Sequence, residues 1–358
     1  MMKTAAEFAA ERVRPEIRAI SAYHVAHAQG MIKLDAMENP YRLPEALRNE
    51  LGRALAEVAI NRYPDASGAA VKDALRSTLA IDERFPLILG NGSDELIQIV
   101  AVSLAKPGAT MLAVEPSFVM YKANATLAQM RYVGVPLRPD FTLDAEAVLT
   151  AIAREQPALI FIAYPNNPTG NLFDIEDIER IVRAAPGLVV IDEAYHPFAQ
   201  VSFADRLAEF PNAIVMRTLS KLGLAGIRLG YAFGDPAWIS EFDKARPPYN
   251  LNSLTQAVTL TVLKHADVLA GQAAALRSER DALSALLRRL PMRVYPSAAN
   301  FLLVRVLDAN ATFARLKDAG ILIKNLHGWH PLLDNCLRLS VGTPDENAAL
   351  FDVLKSVG

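Results

Sequence analysis

The stretch Arg217-Thr218-Leu219-Ser220-Lys221-Leu222-Gly223-Leu224-Ala225-Gly226-Ile227-Arg228-Leu229-Gly230 sets one lysine inside a run of apolar and small residues. A serine precedes it directly, and an arginine follows seven positions on. Desolvation in such surroundings lowers a lysine's pKa toward neutrality, and a neutral amine can condense with an aldehyde to form a Schiff base. Ser220 can donate a hydroxyl, and Arg228 a forked guanidinium, to a phosphate that anchors the molecule carrying the aldehyde. Pyridoxal 5'-phosphate fits that description. Taken alone, the stretch reads equally well as a loop whose lysine lays its stem on apolar surface and its ammonium in water.

The rest of the chain bounds the choice. Its 358 residues suggest about two domains, or one large domain with a satellite. Charged residues are 21% and the net charge is -2, so there is no electrostatic footprint for nucleic acid or an anionic membrane, and small molecules or protein partners are expected. Cys336 is the only cysteine, which excludes an intramolecular disulfide and a cysteine-rich metal site and points to a reducing, cytoplasmic setting. The charged start, Met1 to Arg12, lacks a signal peptide's apolar core. Apolar runs such as Leu96 to Ala105 fall short of the roughly twenty residues a membrane span needs.

From Leu87 onward, short apolar runs alternate with longer amphipathic ones, the pattern of βαβ units around a mostly parallel sheet. Seven strands are expected, at Leu87–Leu89, Thr110–Val114, Arg131–Val135, Ala158–Ala163, Leu188–Ile191, Ala213–Arg217 and Leu229–Phe233. Ahead of them come a helical arm over Ala5–Ile20 broken at Pro15, a strand-like run from Met31, and a helix from Pro44 toward Ile60. Tyr63 then stands on a loop, because Pro64 biases it away from helical backbone. Beyond Asn250 a single long helix is expected over Ser253–Leu290, leading to strand-like runs at Met292–Tyr295, Phe301–Val306, Ile321–Lys324 and Cys336–Val341. The expected fold is α/β, a large domain with a mostly parallel seven-stranded sheet between helices plus a smaller α/β domain. Its expected divisions are an N-terminal arm 1–35 joining the small domain, the large domain 36–250, a bridging helix 251–290 and the small domain 291–358.

Ligands of an open α/β sheet bind at the carboxyl ends of the strands, so polar residues directly after apolar runs are the ones to collect. Gly90-Asn91-Gly92-Ser93-Asp94-Glu95 turns tightly into a helix whose first amides can face a phosphate, or is a glycine turn with a capped helix and nothing more. Tyr164-Pro165-Asn166-Asn167-Pro168-Thr169-Gly170 presents an asparagine amide on a stiff turn, or is only a turn. Asp192, in Asp192-Glu193-Ala194-Tyr195, ends an all-apolar strand, where a carboxylate is costly to bury unless it meets a cation or strong donor. A pyridinium nitrogen is such a cation. A helix cap or a metal-binding aspartate is the alternative reading of that motif.

Read jointly, Pro165-Asn166-Asn167-Pro168-Thr169-Gly170, Asp192-Glu193-Ala194-Tyr195 and Thr218-Leu219-Ser220-Lys221, in this order and spacing, resemble the fold-type I pyridoxal-phosphate aminotransferases. The likeness is strongest to histidinol-phosphate aminotransferases and runs from Ala36-Met37-Glu38-Asn39-Pro40-Tyr41 to Cys336-Leu337-Arg338-Leu339-Ser340-Val341-Gly342-Thr343. The resemblance implies that Lys221 holds the pyridoxal phosphate as a Schiff base and shuttles a proton. It implies that Asp192 pairs with the pyridine nitrogen, that Tyr195 and Asn167 bond the ring hydroxyl, and that Phe118 stacks on the ring. Backbone amides of Ser93 and Asp94, with Ser220 and Arg228, are implied phosphate ligands. Tyr63 resembles a tyrosine that reaches the phosphate of the neighbouring subunit, which implies a homodimer with shared active sites.

For substrates, the same resemblance puts Arg338 on a carboxylate or a substrate phosphate, Lys324 where many relatives place a second anion-binding arginine, and Tyr23 and Asn39 beside the substrate. The implied reaction interconverts L-histidinol phosphate plus 2-oxoglutarate and imidazole-acetol phosphate plus glutamate, in histidine biosynthesis. An aromatic or other amino-acid aminotransferase and a threonine-phosphate decarboxylase share these motifs. A non-catalytic aminotransferase-like regulator is disfavoured, since no basic helix-turn-helix segment precedes Met31. The pairs His24/His27 and His327/His330 read as surface or packing histidines, and no metal is expected. Trp329 reads as a packing residue.

Overall fold

The computed structural model describes residues 2–22 and 28–356. Among the described residues twelve strands, in chain order, are β1 (Ile32–Leu34), β2 (Leu87–Asn91), β3 (Thr110–Glu115), β4 (Arg131–Pro136), β5 (Leu159–Ala163), β6 (Leu188–Asp192), β7 (Ala213–Thr218), β8 (Leu229–Gly234), β9 (Arg293–Val294), β10 (Phe301–Arg305), β11 (Ile321–Asn325) and β12 (Cys336–Ser340). All seven strands expected between Leu87 and Phe233 form one sheet, in the order β2-β8-β7-β6-β5-β3-β4. The central strands β5, β6 and β7 are buried along their whole length. That is why they read as continuous apolar runs rather than as alternating ones. Helices supply the covering layers by helical periodicity: Ile175–Ala184 starts at Asp174, whose side chain accepts from the Glu176 amide, and buries Ile178, Ile181 and Val182.

β3 to β7 are mutually parallel, but β8 runs antiparallel to both β7 and β2. The reversal matters for the site. It brings the start of β8 to the same sheet edge as the ends of its neighbours, with Gly230 opposite Thr218 and Leu229 opposite Asn91. Arg228, Ser220 and Ser93 are thereby gathered at one edge by register.

The second sheet has the order β1-β11-β12-β10-β9. β1 joins it in parallel with β11, pairing Ile32, Lys33 and Leu34 with Ile321, Leu322 and Ile323. The chain therefore leaves this sheet at Leu34 and crosses directly over the end of the large one.

The single helix expected over Ser253–Leu290 is two helices, Ser253–Leu263 and Ala266–Leu287. His265, at φ -119 and ψ 40, departs from helical backbone between them. The two pieces serve different partners: the first packs on helices Glu45–Ala56 and Ala69–Leu79, the second on Pro344–Lys355. No glycine or proline marks this break, so the change of partner is its physical cause. The N-terminal arm is likewise two short helices, Ala5–Arg12 and Pro15–Arg18, parted just before Pro15 as expected. Among the described residues no helix is long and apolar enough to cross a membrane.

Candidate active site

Strand ends of the large sheet and the turns that follow them enclose a cavity. Asp192 enters it from the last position of β6, buried, with Tyr121 donating its hydroxyl to Oδ2 at 2.7 Å and the Ala194 amide donating to Oδ1 at 3.1 Å. Burial raises the Asp192 pKa to about 6 in spite of these two donors. A carboxylate this costly to ionise is suited to a cationic partner such as a protonated ring nitrogen.

Directly behind it, Glu193 points to the other side of the strand and pairs with Arg217 at 2.9 Å, both buried. Glu193 also accepts from Ser202 and from the Phe203 amide. The pair ties the end of β6 to β7, and so fixes Asp192 relative to the lysine segment that β7 feeds.

That segment leaves β7 as an irregular helical turn closed at its base by the Leu219 amide donating to the Leu229 carbonyl. Gly223 within it has φ 129, a conformation open to glycine, and a Cβ there would press on the Asn39 amide. Lys221 projects into the cavity and donates from Nζ to the Ala36 carbonyl at 3.1 Å. Burial first, then the Arg338 guanidinium, lowers its pKa to about 8. The amine is thus much nearer neutrality than a lysine in water.

A cradle lies at one end of the cavity. Gly92, at φ 84, leads into the helix Ser93–Leu104, and a Cβ on it would collide with the Arg228 guanidinium. Arg228 takes left-handed backbone, φ 53, and reaches back so that Nη1 lies 3.4 Å from Ser220 Oγ and Nη2 3.3 Å from Asp94 Oδ2. A helix N-terminus, a hydroxyl and a guanidinium converge there, a donor set that fits a phosphate. The residues present therefore fit a phosphorylated pyridine aldehyde: phosphate in the cradle, amine at Lys221, carboxylate at Asp192.

Phe118, Asn167 and Tyr195 line the same cavity. Tyr195 packs edge-on against Phe301, with burial pushing its pKa up. Asn167 accepts from Arg338 Nη1 at 2.7 Å, and Arg338 also donates to the Asp35 carbonyl at 2.8 Å.

A second cavity adjoins the first through Met37, Phe118 and Asn167. Lys324 and Arg338, directly opposed in the β11–β12 register, stand on its small-sheet side. Lys324 Nζ lies 4.7 Å from the Trp329 ring centroid. Trp329, expected only to pack, is about half exposed and lines this cavity.

Two of the expected site residues lie outside both cavities. Asn39 lines neither cavity. Its amide donates to the Leu222 carbonyl and to Gln272, and its oxygen accepts from the Tyr41 amide, so it braces the loop behind Lys221. Tyr63 is 80% exposed, stacked on Tyr249 at 4.5 Å, and does not line the cavity of its own chain. Tyr23, His24 and His27 lie outside the described residues.

Tyr121 was missed as a partner of Asp192. It follows Phe118 by three positions, its amide donates to the Phe118 carbonyl across the turn that leads into the helix from Met120, and the two rings meet edge to face at 5.6 Å. That spacing was the available signal.

The comparisons with known proteins agree with this geometry. The family model for aminotransferase class I and II matches residues 29–354. A histidinol-phosphate aminotransferase of Chromobacterium violaceum is 61% identical over 344 residues, covering 96% of this chain and 97% of that one. Histidinol-phosphate aminotransferase 1 of Ralstonia nicotianae is 56% identical over 346 residues, 95% of this chain and 92% of that one. Among solved structures, histidinol-phosphate aminotransferase from Sinorhizobium meliloti in complex with pyridoxal-5'-phosphate superposes with a TM-score of 0.86 at 25% identity, covering 97% of this chain and 98% of that one. The likeness extends essentially end to end, over both sheets and the cavities between them, and the chain belongs to the class I and II aminotransferases, on their histidinol-phosphate aminotransferase branch.

Proposed function

We propose that the protein moves the amino group of L-histidinol phosphate to 2-oxoglutarate, forming imidazole-acetol phosphate and L-glutamate, a step of histidine biosynthesis. The observation that carries this reading is the joining of two cavities. One holds a lysine of lowered pKa and a buried carboxylate, and the other presents Arg338 and Lys324 to an anionic substrate. The kinship with histidinol-phosphate aminotransferases supports the choice of amine donor.

When bound, pyridoxal 5'-phosphate supplies an aldehyde that takes up amines and a ring that withdraws electrons from the carbon losing its proton. The chain's own groups do the rest. Lys221 Nζ carries the aldehyde between turnovers and moves the proton at the substrate carbon. Asp192 keeps the ring nitrogen protonated, and Tyr121 and the Ala194 amide hold that carboxylate in place. Tyr195 and Asn167 donate to the ring hydroxyl oxygen, while Phe118 covers the ring face. Ser220, Arg228 and the amides of Ser93 and Asp94 hold the phosphate. Arg338 and Lys324 bind substrate anions, and the resemblance assigns Tyr23 to the substrate as well.

The working unit in this reading is a homodimer with shared sites, in the cytoplasm. Its support is Tyr63, an exposed aromatic on a proline-stiffened loop outside its own cavity. The division into a large domain over 36–250 and a small one over 291–358, joined by 251–290, belongs to the same reading.

A turnover panel tests it. Purified protein with 2-oxoglutarate as acceptor should show the highest kcat/KM with histidinol phosphate, ahead of histidine, phenylalanine and aspartate. Equal kcat/KM for histidinol phosphate and phenylalanine would instead identify a general aromatic aminotransferase.

A further inference from the structure

The second cavity has a wall that the proposed reaction has not used. Its small-sheet side is cationic, with Lys324 and Arg338. Its large-sheet side carries Glu115, the last residue of β3, together with Tyr132 and Lys122. β4 lies beside β3 with Gly134 opposite Ala113, and a Cβ on Gly134 would collide with the Glu115 carboxyl. The glycine thus lets the carboxylate lie across the β4 backbone and face the Tyr132 hydroxyl. Burial and that carboxylate push the Tyr132 pKa up, so the phenol remains a donor throughout the physiological range. The Lys122 ammonium sits 5.8 Å from the Tyr132 ring centroid. A carboxylate engaged by one phenol keeps most of its acceptor sites available.

We propose that Glu115 is a specificity-determining residue that reads the imidazole of the amine donor. This rests on the reaction proposed above. Histidinol phosphate has two unlike arms on the carbon bearing its amine. The phosphate arm belongs with the cationic wall of Lys324 and Arg338. The ring arm is left to the opposite wall, where an imidazole N–H donates to the Glu115 carboxylate beside the apolar side chain of Val119.

Glutamate and 2-oxoglutarate have carboxylates on both arms and no N–H to offer at that position. Charge repulsion from Glu115 turns their second carboxylate toward the cationic side. A single acidic residue therefore sorts the two substrates of one site. A phenyl ring in place of imidazole leaves the carboxylate desolvated with one fewer donor, the situation that gives strong discrimination against an isostere.

The test compares histidinol phosphate with 2-amino-3-phenylpropyl phosphate, which keeps the amine and the phosphate and lacks the ring N–H. Each is measured with holoenzyme as kcat/KM of the amine half-reaction, followed by the absorbance of the bound cofactor, with glutamate as a reference. Wild type should prefer the imidazole compound by roughly tenfold or more. Glu115→Leu should abolish that preference and lower the ratio of histidinol phosphate to glutamate kcat/KM by a similar factor. A preference retained in Glu115→Leu overturns the proposal.

Should the leucine variant fail to fold, Glu115→Gln keeps the shape and removes the charge. The same two ratios should then fall severalfold, and unchanged ratios overturn the proposal. Failure of the wild type to turn over histidinol phosphate at all is a different result, which removes the reaction itself.

Discussion

Arg338 Nη1 donates to Asn167 Oδ1 at 2.7 Å, so the side chain expected to bind substrate anions holds the side chain expected to contact the cofactor ring. A guanidinium only donates, which assigns the amide oxygen of Asn167 to Arg338 and leaves its NH2 group for the ring hydroxyl. The substrate-binding residue thereby orients a cofactor-binding one. Removing Arg338 should cost more than the loss of an anion contact, and part of that cost should be shared with Asn167. In a double-mutant cycle on kcat/KM of the glutamate half-reaction, Arg338→Ala and Asn167→Ala together should lose less than the two single losses combined, by about 1 kcal/mol. Strict additivity would show that the bond carries no coupling.

The amine of Lys221 should be reactive at neutral pH. Its pKa of about 8 leaves roughly a tenth of it neutral at pH 7, against fewer than one in a thousand for an ordinary lysine. For a lysine of lowered pKa the neutral form grows as pH rises through the lowered value. The rate of cofactor imine formation by cofactor-free protein, followed by absorbance, should therefore climb from pH 6 to about 8 and level off above it. A rise that continues unabated toward pH 10 would mean the site does not depress this lysine. Lys221→Ala should retain some cofactor through the phosphate cradle, lose all borohydride-trapped label, and lose turnover.

Asp192 trades stability for function. Its folded pKa of about 6 lies above the ordinary carboxylate value, so the cofactor-free fold binds a proton more tightly there than the unfolded chain does. The penalty is absent below about pH 4, grows as pH rises, and reaches about 3 kcal/mol once pH passes 6. Without cofactor, Asp192→Asn should thus melt higher than wild type at pH 8, with the difference shrinking as pH falls through 6. With cofactor, the variant should gain less Tm than wild type and abstract the substrate proton far more slowly, since an amide cannot hold a cationic ring nitrogen. Half-reaction rates near wild type in this variant would remove the role assigned to the carboxylate.

Tyr63 should act across the dimer. A mixed dimer of one Lys221→Ala subunit and one Tyr63→Ala subunit contains, if Tyr63 works in trans, one site with both defects and one with an intact lysine and an intact tyrosine. Activity should then exceed that of either parent dimer. If Tyr63 works within its own chain, every site keeps a defect and no rescue appears. The Tyr63→Ala homodimer should itself be measurably impaired, by about 1 kcal/mol for one lost phosphate hydrogen bond.

The central strands of the large sheet were legible in the sequence because parallel strands buried on both faces must be apolar along their whole length. Asp192 was legible for a related reason, since a charge placed directly after such a run has to be paired or chemically employed, and Lys221 because it stands inside a run of apolar and small residues. The motifs around them then carried the family. What the sequence left open depends on contacts between residues far apart in the chain, which no local periodicity records. Tyr121 reaches Asp192 across 71 positions and Arg338 reaches Asn167 across 171.

Asn39 looks from its loop like a substrate residue, yet tertiary packing spends its amide on Leu222 and Gln272. The helix from Ser253 breaks at His265 because its two halves pack on different layers. Glu115 is an unremarked acid at the end of a strand until Gly134, on the neighbouring strand, makes room for its carboxylate to turn toward the substrate cavity. Sequence alone determined which residues must lie at the strand ends. The tertiary structure decided which of them face one another, since lateral strand order, the reversal of β8 and side-chain contacts are set by packing over the whole molecule.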